Sequence, residues 1–154
     1  MNSQLASEAM IPNPRLAAFE PFIGVWTTVG HHSMMPGITL HGRTAFEWHE
    51  GGAFLQVRSE IEEEGIPSGI VFIGSDDGTD AFTMLYFDER TVSRRYEVAI
   101  EGGVLRWWRT APQFSQRYEI TVAPDGDTLR GLSYLSKDDA TWEQDLELTY
   151  TRVK

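Results

Sequence analysis

From Gly24 to Arg152 the chain runs through short segments in which apolar and polar residues alternate with the two-residue period of half-buried β-strands. Glu50-Gly51-Gly52, Glu64-Gly65-Ile66-Pro67, Asp76-Asp77-Gly78, Glu101-Gly102-Gly103 and Pro124-Asp125-Gly126 punctuate these segments. Each offers residues that tolerate positive φ or preset a turn. The pattern predicts about ten strands joined by short loops, and short loops favour pairing between sequence neighbours. Such a meander removes its exposed edges by closing on itself, so the expected fold is all-β, a closed antiparallel up-and-down β-barrel. Ahead of the strands, Asn13 can cap a helix, Pro14 suits its first position, and Leu16 and Phe19 fall on one face. This short N-terminal helix is expected to plug one end of the barrel. Residues 1–154 are expected to form a single domain, with 1–12 flexible.

Side chains alternate faces along a strand, so apolar parity indicates which polar residues share the interior. Trp142, Gln144, Leu146, Leu148, Tyr150 and Arg152 form one face of the last strand, and Glu143, Asp145, Glu147, Thr149 and Thr151 form a solvent face. By the same argument Phe114, Gln116, Tyr118, Ile120 and Val122 point inward. If the hairpin at Glu101-Gly102-Gly103 sets Ile100 opposite Val104, then Arg94, Tyr96 and Val98 face inward, and so do Arg106 and Trp108. Ile38, Leu40, Thr44, Phe46 and Trp48 alternate with Thr39, His41, Arg43 and Glu47, which turns His41 and His49 outward. The segments 70–73 and 82–87 are apolar on both faces and assign nothing.

The chain has 154 residues, the size of one domain, and 41% hydrophobic and 23% charged residues are close to ordinary globular usage and suggest neither disorder nor a membrane protein. No apolar run reaches the ~20 residues of a membrane-spanning helix, and residues 1–10 lack the basic and apolar regions of a secretory signal. A formal net charge of −10 disfavours nucleic acid and anionic membranes as partners. The absence of cysteine excludes disulfides, thiolate metal sites and a cysteine nucleophile, and fits a cytoplasmic location. Five Trp, five Tyr and eight Phe can line a cavity as well as fill a core. A small-molecule ligand is the expected partner, and a homodimer is compatible with this composition.

The segment Phe22-Ile23-Gly24-Val25-Trp26, which opens the first strand after a short helix, resembles the Gly-x-Trp signature of the calycins, the group that includes lipocalins and fatty-acid-binding proteins. The resemblance covers nearly the whole chain. It implies a ligand-binding barrel in which the Trp sits at the closed end and a basic residue of the final strand packs across it, so Trp26 and Arg152 are the expected structural latch. The ten-strand count, the lack of cysteine and the opening Gly24-Val25-Trp26-Thr27-Thr28-Val29-Gly30 look most like nitrobindin-type and bacterial lipocalin-like barrels. Nitrobindins hold haem through a histidine late in the chain, whereas His31, His32, His41 and His49 all lie in the first third. No cofactor is therefore expected. Fatty-acid-binding proteins grip a carboxylate with Arg-x-Tyr on the last strand; here the order is reversed, Tyr150-Thr151-Arg152.

His31-His32-Ser33-Met34-Met35 offers soft ligands suited to copper, but adjacent strand residues face opposite ways and cannot easily chelate one ion together. No metal site is expected there. Asp76-Asp77-Gly78-Thr79-Asp80 lacks the alternating ligands and distal Glu of an EF-hand and reads as a hairpin turn. The expected function is binding of a small, largely apolar molecule with an acidic or acceptor group. Arg106 is the expected polar anchor, supported by Tyr96, Tyr118, Tyr150, Gln116 and Gln144, with Trp108, Trp142 and Phe114 lining the rest. One alternative is an isomerase or cyclase in which His32, sharing the parity of Trp26, acts as catalytic base. Another is a protein-interaction module using the outer face. Titration with haemin is expected to give no sharp, stoichiometric Soret band; such a band, abolished by His32→Ala, would overturn the cofactor-free reading.

Overall fold

Ten strands follow one another as a continuous meander in the computed structural model, which describes residues 10–154: β1 (Gly24–His32), β2 (Leu40–His49), β3 (Phe54–Ile61), β4 (Gly69–Ser75), β5 (Phe82–Asp88), β6 (Ser93–Glu101), β7 (Val104–Arg109), β8 (Ser115–Val122), β9 (Thr128–Ser136) and β10 (Glu143–Arg152). Part of the segment expected to be flexible, residues 1–9, lies outside the described residues; Met10 and Ile11 are exposed. Each strand pairs antiparallel with the next, and β1 pairs with β10 from Trp26↔Arg152 to His32↔Leu146, closing the barrel. Among the described residues no helix is long and apolar enough to cross a membrane.

A meander sends successive loops to opposite ends of the barrel. The connections leaving β1, β3, β5, β7 and β9 gather at one end; the others, with the start of β1 and the end of β10, gather at the second. The second end is closed by a 3-10 helix, Pro14–Phe22. Its three buried residues, Leu16, Phe19 and Phe22, recur every third position, which is the period that aligns side chains on one face of a 3-10 helix. Phe19 meets Phe82 edge-on with ring centroids 5.3 Å apart, and Phe22 packs on Phe46 at 5.9 Å.

Two polar devices fix this plug. Asn13 caps it by accepting from the Arg15 N–H at 3.0 Å while its own amide donates to Ser75 Oγ at 2.8 Å. The Arg15 guanidinium donates to the carbonyls of Asp76, Thr79 and Ala81, so the acidic β4–β5 turn directs those backbone oxygens at a side chain of the plug.

Trp26 is fully buried beneath the plug, its indole N–H donating to the Phe22 carbonyl at 2.9 Å. The Arg152 guanidinium lies 4.2 Å from the centre of the Trp26 ring. It donates to the carbonyls of Ile23 (2.7 Å), Pro21 (3.2 Å) and Gly126 (3.0 Å), and its Nε faces Asp127 Oδ1 at 3.2 Å. Gly24 makes room for this: its φ is +141°, and a Cβ there would stand 2.6 Å from Arg152 Nη1. Arg152→Ala removes the stack and these hydrogen bonds together, and the lost cation–π contact alone is worth about 0.5–2 kcal/mol. A lowered denaturation midpoint with unchanged ligand selectivity is expected; an unchanged midpoint with lost binding would make Arg152 a ligand residue.

Candidate functional site: the cavity above the plug

Above the plug the barrel encloses a cavity of about 810 Å³, within the range of small-molecule pockets. It opens at the end opposite the plug, where Met34, Met35, Ile66, Pro67 and Phe114 form an apolar rim. The wall is mostly apolar, with Phe46, Val57, Val71, Trp107, Ile120 and Leu148 contributing inward-facing side chains. The two strands whose sequence was apolar on both faces resolve here: Val71, Ile73 and Met84 are buried, while Leu85 and Phe87 are exposed.

Polar groups enter this wall at two levels. Near the mouth, Arg94 Nη1 and Tyr96 Oη both donate to Gln116 Oε1, at 2.9 and 3.2 Å, and Arg94 lies 5.5 Å from the centre of the Phe114 ring. Arg90, also on the cavity, is differently placed. It forms a 2.6 Å ion pair with Asp88, which accepts a further 2.6 Å hydrogen bond from Tyr86 Oη. The hydrogen bonds from Arg90, and then that from Tyr86, hold the Asp88 carboxyl well below the usual carboxylate range; burial pushes the Tyr86 phenol up. Arg94 has no ion-pair partner among the described residues.

Deeper, Tyr118 and Tyr150 meet across β9, their hydroxyl oxygens 2.6 Å apart. Both are buried, and desolvation raises both phenols well above the ordinary tyrosine range, so both stay protonated at neutral pH. The contact depends on Gly131 of β9, where a Cβ would fall 2.0 Å from Tyr118 Oη and 3.1 Å from Tyr150 Cε1.

Several residues expected in the cavity lie elsewhere, for two reasons of register. Gly102 and Gly103, with φ of +59° and +76°, make a two-residue turn that pairs Glu101 with Val104 and Ile100 with Leu105. The expected pairing of Ile100 with Val104 was one residue out, which inverts every side chain of β7. Arg106 is therefore outside, paired with Glu119 at 2.8 Å and about half exposed. Trp108 is exposed as well, and Leu105 and Trp107 take the inner face, with Trp107 5.0 Å from the Tyr118 ring.

The second shift is a β-bulge in β10: Gln144 pairs with Tyr134 and Glu147 with Leu132, so Asp145 and Leu146 together oppose Ser133. Before the bulge the parity is reversed. Gln144 is exposed, donating to Glu147 at 3.2 Å, and Trp142 is absent from the cavity wall, stacked 4.3 Å from the Arg117 guanidinium. Phe114, Gln116, Tyr96, Tyr118 and Tyr150 do line the cavity.

The bulge also brings Asp145, assigned from parity to solvent, to the cavity rim beside His32. His32 Nε2 stands 3.2 Å from Asp145 Oδ1, and His32 Nδ1 accepts the Met34 N–H at 3.0 Å. An Nδ1 that accepts from a backbone amide leaves the proton on Nε2, directed at Asp145. Neither nitrogen then offers the cavity the free lone pair that a catalytic base requires.

The closed ten-strand barrel, plugged at one end and hollow inside, is the fold expected from the alternation of the strands. No protein-family model and no curated protein matches this sequence. Among solved structures, the chain is similar to Rv2717c from M. tuberculosis, with a TM-score of 0.65 at 15% identity, covering 92% of this chain and 99% of that one. It is also similar to the S-type phycobiliprotein lyase CPES from Guillardia theta, with a TM-score of 0.56 at 12% identity, covering 88% and 90%. At these identities the likeness is one of fold.

Gly131→Ala should force the tyrosine pair apart and, as an overpacked wall, lower stability by about 1–3 kcal/mol. Chemical denaturation measures this, and an unchanged midpoint would show that the Tyr118 ring has room to move.

Proposed function

We propose that the barrel binds a small, largely apolar molecule whose acidic or hydrogen-bond-accepting group is held by Arg94, with Gln116 and Tyr96 orienting the guanidinium. The observation that carries this reading is the state of Arg94. It lies on a cavity with mainly apolar walls, is only partly exposed, and among the described residues makes one side-chain hydrogen bond, to the neutral Gln116. A guanidinium withdrawn from water in this way is destabilising until an anion or acceptor engages it. Arg94 thus takes the role that parity gave to Arg106. A phycobiliprotein lyase among the structural neighbours is compatible with small-ligand binding.

The test is titration of tryptophan fluorescence, for which Trp107 on the cavity wall is a reporter, with fatty acids and fatty alcohols of matched chain length. A charge-assisted hydrogen bond contributes roughly 1.5–3 kcal/mol, so wild type should prefer the acid by about tenfold or more. Arg94→Met should abolish that preference, and Arg106→Met should leave it intact. Equal affinity of wild type for acids and alcohols would sink the proposal.

A further inference from the structure

The Tyr118–Tyr150 pair is not used by an anion held at the mouth. Two facing phenols carry two hydroxyl protons, and only one can lie in the 2.6 Å contact between them. The second has no acceptor among the described residues, although both tyrosines lie on the cavity wall. The hydroxyl that accepts from its neighbour is polarised by doing so and becomes the stronger donor. Thr28, paired with Tyr150 across the β1–β10 ladder, adds a buried Oγ1 without a hydrogen-bond partner at the same level. A buried polar group left unmatched is destabilising.

We infer that the tyrosine pair is a second subsite, which donates a hydrogen bond to a neutral acceptor, a carbonyl or ether oxygen, in the interior of the ligand's apolar chain. This rests on the reading of the cavity as a binding site for an acidic, largely apolar molecule and makes the ligand bipolar: an oxo-acid rather than a plain fatty acid. The acceptor is neutral because the surroundings are. Trp107, Ile120 and Leu148 line the cavity around the pair, whereas Arg90 and Arg94 belong to the mouth level, and Arg117 is exposed and stacks on Tyr134 and Trp142. An anion at the deep level would be desolvated without a countercharge.

The spacing follows from the strand. Gln116, which orients Arg94, and Tyr118 are successive inward residues of β8, and Tyr118 is the one nearer the plug. Two residues of antiparallel strand rise about 7 Å. Acid and acceptor must therefore be separated along the ligand by a span of that order, so a set of chain positions exists at which an oxo group helps and others at which it does not.

The experiment is a binding series in which a single keto group is moved along a saturated chain of fixed length, prepared both as acids and as alcohols, on wild type, Tyr118→Phe, Tyr150→Phe and the double variant. In wild type one keto position should bind about fivefold tighter than the unsubstituted parent, the effect of one net hydrogen bond. The double variant should lose that gain while still binding the unsubstituted acid, which also shows that its cavity is intact. If the double variant does not fold, loss of the gain in either single variant supports the subsite. Absence of any favoured keto position in wild type, or its persistence after both hydroxyls are removed, overturns the inference. The head group reports separately on Arg94: equal affinity for acids and alcohols with the keto preference intact would leave the tyrosine subsite standing and remove only the anion reading.

Discussion

Closure of β1 on β10 is the constraint from which the rest of the molecule follows. A ten-strand meander that did not close would expose two strand edges; pairing Trp26 with Arg152 and the residues beyond leaves none. Once the sheet is closed, every strand residue is either inside or outside, and every loop belongs to one end or the other. The helix preceding β1 can reach only the end at which β1 begins. That end becomes the plug, and the cavity must open at the opposite one. The same closure brings Arg152 from the last strand over Trp26 of the first, so two residues far apart in sequence share one buried stack.

How far the sequence carried depended on whether a strand's neighbours were in register. The β8 parity, Gln116-Tyr118-Ile120, needed only a regular strand and holds in the structure, as does the deep half of β10, Leu148 and Tyr150. Arg106 and Trp108 were misplaced because β7 is apolar on both faces, leaving the turn to decide; two consecutive glycines are the usual signal of a two-residue hairpin, and that signal was present at Gly102-Gly103. The bulge at Asp145-Leu146 has no comparable mark in the local sequence, so Gln144, Trp142 and Asp145 could not be placed by alternation. Arg94 had the correct inward parity, but Arg106 was the expected anchor. Only the geometry of Gln116, Asp88 and Arg90 separates the arginine that is already paired from the one that is not.

That separation matters because the protein as a whole is acidic, with a net charge of −10. On the proposed reading, an anionic ligand is drawn to Arg94 at the mouth against this overall charge. Asp88 satisfies Arg90 and, with Tyr86, fixes it in place. With Arg90 neutralised in this way, the partly desolvated Arg94 is the mouth arginine left for the proposed anion.

The position of His32 fits this economy better as architecture than as catalysis. The β1–β10 seam joins the two ends of the meander and closes the longest loop in the chain, so its formation carries the largest loop-closure entropy of any strand pair in the barrel. At the plugged end the seam is fastened by Arg152 on Trp26. At the open end His32 and Ser33, where β1 ends, both engage Asp145: the imidazole at 3.2 Å, the serine hydroxyl at 3.0 Å, and the Ser33 N–H to the Asp145 carbonyl at 2.7 Å. The bulge that spoils the parity of β10 is what turns Asp145 toward that clasp, since in an unbroken alternation the aspartate would face away from it. Side chains thus pin the seam at both of its ends, and the cavity lies between two fixed points of the closure.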